Sequence, residues 1–504
     1  MERVTELCWE IGQISRLPLL RTILASALVV STALGQRSSP QEINGTSGTS
    51  NAPVAATAEG PNTGAPANSS GPSAEATAPV KPATPSSNTA ALHDPLQDWN
   101  HELKEADGDV FGFTFEERTR WEEKMGVNFG KAVNQQDMLS RIRVGAQFQP
   151  LPWLKFSAMG QDGRVPFYGV TAPNTLRDSM DLQEAYVEFR GNTKTGFGAV
   201  FGRNMLNYGE ARLIGSPQWS NLSRTYDNAR MYYRTKKARF EILMVSPVKV
   251  LTDDFNKPEL GERIWGTYDV FNIGHGANID VYALRHSQNK IAGWTSAGTL
   301  GTDSYGGRFY GMLPYKFAYS VEGVGQTGHL GVLTQRAYAW FFGGSRKVTL
   351  SGPMALNFSA EYKGASGTRL GSVNSGTFDQ LSPANHDKFG HEDLFGWRNL
   401  KTFKSLETWN ITKALALNVM YDNHWLFSAA DSLYNSSGSS ISISKKGTAG
   451  THVGQEVDTF MTYTRGAHLV GAGFGHFFKG EFVTNTTPNI NPRYFYVFQQ
   501  YSFK

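Results

Sequence analysis

From Val110 to Phe503 the chain repeats one design: alternating apolar and polar side chains over about ten residues, then a connector. Arg141-Ile-Arg-Val-Gly-Ala-Gln-Phe148 turns through Gln-Pro-Leu-Pro into Trp153-Leu-Lys-Phe-Ser-Ala-Met159. Asp181-Leu-Gln-Glu-Ala-Tyr-Val-Glu-Phe-Arg190 turns through Gly-Asn-Thr-Lys-Thr into Phe197-Gly-Ala-Val-Phe201. Between these hairpins runs a long polar connector, 161–180. Short turns on one side and long loops on the other are what an antiparallel barrel across an outer membrane requires.

The pattern predicts 18 strands, at 110–122, 137–149, 153–162, 180–190, 196–204, 226–234, 237–246, 263–272, 277–286, 303–312, 315–325, 334–343, 353–363, 397–408, 414–428, 454–464, 467–477 and 493–503. Connectors 205–225, 247–262, 364–396 and 429–453 are the long ones, and 364–396 is expected to fold inward or cap the pore. An even strand count places both barrel ends on the periplasmic side.

Period-two alternation also sorts the faces. Phe111, Phe113 and Phe115 oppose Thr114, Glu116, Arg118, Arg120 and Glu122. Ile142, Val144, Ala146 and Phe148 oppose Arg141, Arg143 and Gln147. Gln183, Ala185, Val187 and Phe189 oppose Glu184, Tyr186, Glu188 and Arg190, and Ala229, Met231 and Tyr233 oppose Asn228, Arg230, Tyr232 and Arg234. A cation on the lipid side costs roughly 2–4 kcal/mol at mid-membrane, so the charged set is assigned to the lumen.

Composition agrees. The 504 residues carry 12% aromatics, 53 glycines and a net charge of only +4. Beyond the N-terminus there is no apolar run of about 18 residues, which excludes helical spanning. A large soluble propeller or solenoid is disfavoured because no fixed repeat period appears. The abundant aromatics suit the interfacial girdles of a barrel.

The N-terminal region reads as processing and linker segments. Arg16 and Arg21 precede an apolar core, 22–35, ending in small residues, so 1–35 is expected to be a signal peptide. Cys8, the single cysteine, would leave with it, excluding disulfides and thiolate metal sites from the mature chain. Residues 36–93 are rich in Pro, Ala, Ser, Thr and Gly, cannot bury a core, and are expected to form a disordered periplasmic tail. A polar bridge, 94–109, leads into the barrel, 110–504. The aromatic last strand, with Tyr501 and Phe503, looks like the signal that barrels present to their assembly machinery.

Several blocks resemble the alginate export family of outer-membrane barrels. They are Phe201-Gly-Arg-Asn-Met-Leu-Asn-Tyr-Gly-Glu-Ala-Arg-Leu-Ile-Gly215, Trp219-Ser-Asn221, Arg224-Thr-Tyr-Asp-Asn-Ala-Arg230 and, ahead of them, Leu176-Arg-Asp-Ser-Met-Asp-Leu-Gln-Glu-Ala-Tyr186. Ala365-Ser-Gly367, Gly376-Thr-Phe-Asp-Gln-Leu381 with Pro383, His386, Gly390 and Asp393, and Gly454-Gln-Glu-Val-Asp458 also fit. The resemblance covers roughly 111–503. It implies an 18-stranded, monomeric pore whose arginine-rich constriction passes an anionic polysaccharide. It assigns pore-lining roles to Arg118, Arg120, Arg141, Arg143, Arg203, Arg212, Arg224 and Arg230, although parity groups Arg203 with Phe197 and Phe201.

The chemistry fits such a cargo. Uronate polymers carry one carboxylate per sugar, and the planar guanidinium pairs bidentately with carboxylates. Lumen acids Glu116, Glu184, Glu188 and Glu241 would temper the field and keep the polymer from being trapped. Interleaved Arg and Glu can equally form a cross-strand ladder that holds the barrel's shape, and both roles stay open. Tyr186, Tyr232 and Trp121 are candidates for stacking on sugar rings or for packing.

Other chemistry has little sequence support. His386 and His391 lie near Asp387, Glu392 and Asp393, but their spacing matches no metal signature. Asp253 and Asp254 could at most suggest calcium, and His468 and His476 have no evident serine partner for catalysis. Basic residues spread along lumen faces do not make a nucleic-acid surface. The expectation is therefore a cofactor-free, non-enzymatic outer-membrane channel for anionic sugars or other small anions. Its partners would be lipid, substrate and the assembly machinery. A general or nutrient-uptake porin and an adhesive barrel remain the rival readings.

Overall fold

The computed structural model describes residues 110–503 except 131–133, 169–175, 191–194, 253, 290–297 and 489. The expected signal peptide, tail and bridge lie outside the described residues.

In chain order the strands are β1 (Phe111–Met125), β2 (Asn134–Leu151), β3 (Leu154–Tyr168), β4 (Asp178–Phe189), β5 (Gly196–Asn204), β6 (Tyr226–Arg234) and β7 (Ala238–Lys249). There follow β8 (Lys257–Pro258), β9 (Glu262–Gly274), β10 (Ala277–Gln288), β11 (Leu300–Leu313), β12 (Phe317–Leu330), β13 (Leu333–Thr349) and β14 (Ala355–Ala365). The last are β15 (Leu400–Asn410), β16 (Leu415–Leu426), β17 (Ser432–Tyr434), β18 (Ser440–Ile443), β19 (His452–Arg465), β20 (His468–Lys479) and β21 (Arg493–Phe503). All but β8, β17 and β18 form an 18-strand antiparallel wall, matching every strand expected from the alternation. The wall closes where β1 pairs with β21, from Phe115 opposite Phe503 to Met125 opposite Arg493. Closure removes both sheet edges, as a lipid environment demands of backbone amides.

The alternation is visible in burial. Arg141 and Arg143 are 1% and 4% exposed, whereas Ile142 and Val144 are 40% and 56% exposed. Charge points inward and hydrocarbon outward.

Two local departures are informative. Alternation groups Gln183 with the lipid face, but β3 and β4 slip register there, Met159 pairing with Glu184 and Gly160 with Leu182. The extra residue is a β-bulge. It turns Gln183 inward, where its amide donates to the Ser223 carbonyl at 3.0 Å. The second departure is the connector expected at 326–333. Instead β12 and β13 extend to a pairing of Leu330 with Leu333, closed by two residues with Gly331 in the left-handed region. A tight turn thus stands among the long loops on that rim.

The interior is filled by two connectors. Segments 205–225 and 366–399 fold inward and bury Leu213, Ile214, Trp219, Phe378, Phe395 and Trp397. They pair with one another. Gly215 N donates to Ser382 O at 2.9 Å, Ser382 N to Leu213 O at 2.8 Å, and Ala384 N to Ala211 O at 2.9 Å. Tyr226 ties both segments to the wall, its hydroxyl lying 3.1 Å from the carbonyls of Gly215 and Ser382.

Candidate functional site

Strands β1 and β2 present four guanidiniums to segment 205–225, and they are satisfied mainly by neutral oxygens. Arg118 donates to the carbonyls of Gln218 (2.9 Å), Trp219 (2.9 Å) and Ser220 (2.8 Å). Arg120 donates to Trp219 O at 2.5 Å, and Arg141 to Gln218 O and Ser220 O at 2.9 and 2.7 Å. Arg143 reaches Gln161 Oε1, Gln218 Oε1 and Ser223 Oγ at 2.7, 2.7 and 2.8 Å. Two carboxylates counter these four cations: Glu116, 2.6 Å from Arg141, and Glu122, 3.3 Å from Arg120. All four arginines are 4% exposed or less. These side chains face the lumen, but the segment covers them.

The rest of the cage crosses the barrel. Arg212, on the inward segment, pairs with Glu210 at 2.6 Å and with Glu322 of β12 at 3.0 Å, and lies over the Phe341 ring of β13. Arg308 of β11 extends the network to Glu210 and Asp280, both at 3.0 Å. Segment 205–225 is thus gripped from β1–β2 on one side and from β11–β13 on the other. Arg224 fastens the two inward segments together through the Gly215 and Pro383 carbonyls, at 3.3 and 2.8 Å.

An aromatic column runs through the centre. The Trp219 indole stacks on the His386 ring at 5.1 Å and 11°, and His386 on His391 at 4.8 Å. Trp219 also meets Tyr496 and Phe498 of β21 edge-on. Burial pushes both imidazoles well below the usual histidine range. His386 Nδ1 lies 2.8 Å from Asp393, whose carboxyl burial pushes well above the usual carboxylate range.

Over nearly its whole barrel the chain matches a family model, described as alginate export, at residues 109–497. The chain belongs to the alginate export family. No curated protein matches it in sequence. Among solved structures it is similar to the Pseudomonas aeruginosa proteins OccK8 (OprE), at TM-score 0.54 and 9% identity over 78% of this chain and 98% of that one. OpdK of the same organism, in a structure with vanillate, gives 0.54 and 9% over 79% and 99%. OccD3 (OpdP) gives 0.52 and 10% over 78% and 91%. At these identities the likeness is one of fold. Fold and family together are those of an outer-membrane porin, a transporter.

Within this alginate export barrel, the sequence-derived candidates separate into groups. Glu116, Arg118, Arg120, Arg141 and Arg143 come together with Arg212 and Arg224 around the inward segments. Glu184 joins them by accepting from Met205 N at 3.0 Å. Arg230, Arg234 and Glu188 lie on the inner face of the neighbouring wall. Arg230 is 3.4 Å from Glu241, and Glu188 is 2.9 Å from Arg190.

Arg203 is a correction. It projects from the side of β5 that carries Phe197 and Phe201, and pairs with Asp227 at 2.7 Å near the rim bearing the long loops. Two-residue periodicity continues unbroken through Gly202, so Arg203 follows the outer face. Trp121 is likewise on the outer wall, edge-on to Phe495 at 5.7 Å. Asp253 lies outside the described residues. Among the described residues no group of three or more His, Cys, Asp or Glu is placed to hold a metal.

The alternation pattern missed the acceptors, Gln218 to Ser220, and the keystone role of Trp219. Their signal was apolar content in a supposed external loop: Leu206, Leu213, Ile214, Trp219 and Leu222.

Proposed function

We propose that this outer-membrane channel passes anionic, alginate-like oligo- or polysaccharides through a lumen whose dominant cation is arginine. The observation that carries the reading is how the four arginines of β1 and β2 are paired. Four buried guanidiniums form ion pairs with only two carboxylates, and neutral oxygens, the main-chain carbonyls of 218–220 and the side chains of Gln161, Gln218 and Ser223, accept their other hydrogen bonds. A carbonyl is a weaker acceptor for a guanidinium than a carboxylate is, and bidentate pairing favours the carboxylate further. A passing uronate therefore has a chemical reason to take the place of the inward segment. Lumen acids such as Glu116 and Glu188 keep each such site shallow enough to leave. The same reading makes the chain a monomer, its N-terminal tail periplasmic and β21 the strand met by the assembly machinery.

Block of single channels in planar bilayers tests it. Uronate oligomers should interrupt the current, and neutral oligosaccharides of equal length should not. Anion conduction without block by either would leave a general small-anion porin and end the polymer reading.

A further inference from the structure

The arginines of β1 and β2 are covered, so an incoming anion must first meet other cations. The inner wall at the short-turn ends of β3 to β7 supplies them. Lys155 opens β3, Arg190 follows β4, Arg234 closes β6 and Arg239 opens β7, all on the inward parity. They reach water where the deeper set does not: the Arg190 side chain is 31% exposed and Arg239 11%, against 1% for Arg141.

Their arrangement is unusual for a purely structural ladder. Arg234 and Arg239 are direct cross-strand partners. Like charges placed opposite one another cost stability, and a facing acid would be the ordinary choice. Both guanidiniums also lie beside one ring, 5.4 and 4.5 Å from the centre of Tyr232. The Tyr232 ring lies flat on Gly198, where any β-carbon would collide with it. Its hydroxyl donates to Glu188 at 3.2 Å, and Lys155 lies across from Glu188 over the Tyr186 ring. Glu188 and Glu241 are the acids of the patch. Glu188 pairs with Arg190, while Glu241 is shared between Arg239 and Arg230. The facing strands at this depth carry fewer charges, their inward positions being Thr408, Asn418, Thr462 and Gln500, with Lys347 of β13 the one cation among these positions.

Resting on the anionic-sugar reading above, we propose that this cluster, Lys155, Arg190, Arg234 and Arg239 around Tyr232, is the periplasmic docking site for the carboxylate of a uronate residue. The short-turn end of an outer-membrane barrel faces the periplasm. A polymer arriving there would be held against one wall and aligned with the covered arginines beyond. The Arg234–Arg239 pair is the specificity-determining element, because two adjacent guanidinium forks can both donate to one carboxylate.

Titration calorimetry of the detergent-solubilised full chain with short oligouronates tests this, without requiring the inward segments to move. Wild type should bind with salt-sensitive affinity. The double variant Arg234→Gln, Arg239→Gln should bind about tenfold more weakly, the loss expected for hydrogen bonds to a charged partner. The double variant Arg234→Lys, Arg239→Lys keeps the charge but loses the planar fork, and its affinity should fall between wild type and the Gln pair. Unchanged affinity in the Gln pair, with wild type binding, overturns the docking site alone. Equal loss in both pairs would mark damage to the wall and also overturns it. A wild type that binds no oligouronate overturns the substrate reading and this inference with it.

Discussion

The Arg120 guanidinium lies 4.0 Å from the centre of the Trp219 indole while donating to the carbonyl of the same residue at 2.5 Å. One side chain of the wall therefore grips both the main chain and the side chain of the inward segment. A desolvated cation–π contact is worth about 2 kcal/mol, and here it adds to charge-assisted hydrogen bonds. Trp219 also carries the stack of His386 and His391, so the two inward segments share one keystone.

Trp219→Ala should loosen that keystone without touching the barrel's strand pairing. Single-channel conductance or open probability should rise several-fold, and the heat-modifiable gel shift of the folded barrel should persist. Conductance equal to wild type would show that the column does not restrict the lumen.

Docking of segment 366–399 should depend on pH in a definite direction. Burial pushes the imidazoles of His386 and His391 well below the usual histidine range and the Asp393 carboxyl well above its own; burial and then the neighbouring Asp458 push Glu392 up likewise. Free carboxyls titrate near about 4 and free imidazoles near about 6.5. Between those values the docked and released segments hold equal numbers of protons on these four groups. As pH rises past the free imidazole value, the released imidazoles lose protons that the docked carboxyls still retain. Docking then weakens. Below the free carboxyl value the released segment holds more protons, and docking weakens again. Open probability should therefore be lowest in mildly acidic solution and climb toward alkaline pH. His386→Gln with His391→Gln removes the imidazole contribution and should move the onset of the alkaline rise to lower pH. A flat profile would refute the assignment.

Gly390 sits in the left-handed region at φ 96°, and a β-carbon there would run into the Glu456 carboxylate of β19. Gly390→Ala is expected to undock the segment locally, read as new protease cuts within 366–399 in an otherwise folded barrel. Resistance equal to wild type would contradict the close approach.

Arg203 and Asp227 pair on the outer wall, so Arg203→Glu should leave ion selectivity unchanged. A shift of zero-current potential as large as one produced from β1 or β2 would place Arg203 in the lumen after all.

All 18 strands were legible because period-two alternation is imposed independently on every one by water inside and lipid outside. Arg141 and Ile142 are neighbours with opposite environments, and that contrast is written in the sequence. Gln183 was not legible, since a bulge depends on the register with β3 rather than on local composition. Nor was the covering of Arg118 and Arg141. Their inward direction follows from parity, but what they meet there is set by segment 205–225, whose path across the barrel has no period. In the folded chain Glu116 pairs with Arg141 across β1 and β2 while the carbonyls of 218–220 take the remaining donors.

The zero-current potential of single channels under a salt gradient tests most directly whether guanidiniums govern what crosses this barrel. Wild type should give the sign for anion preference, and Arg141→Glu with Arg143→Glu should move it toward cations. Cation preference in wild type, or no movement in the variant, would contradict the account.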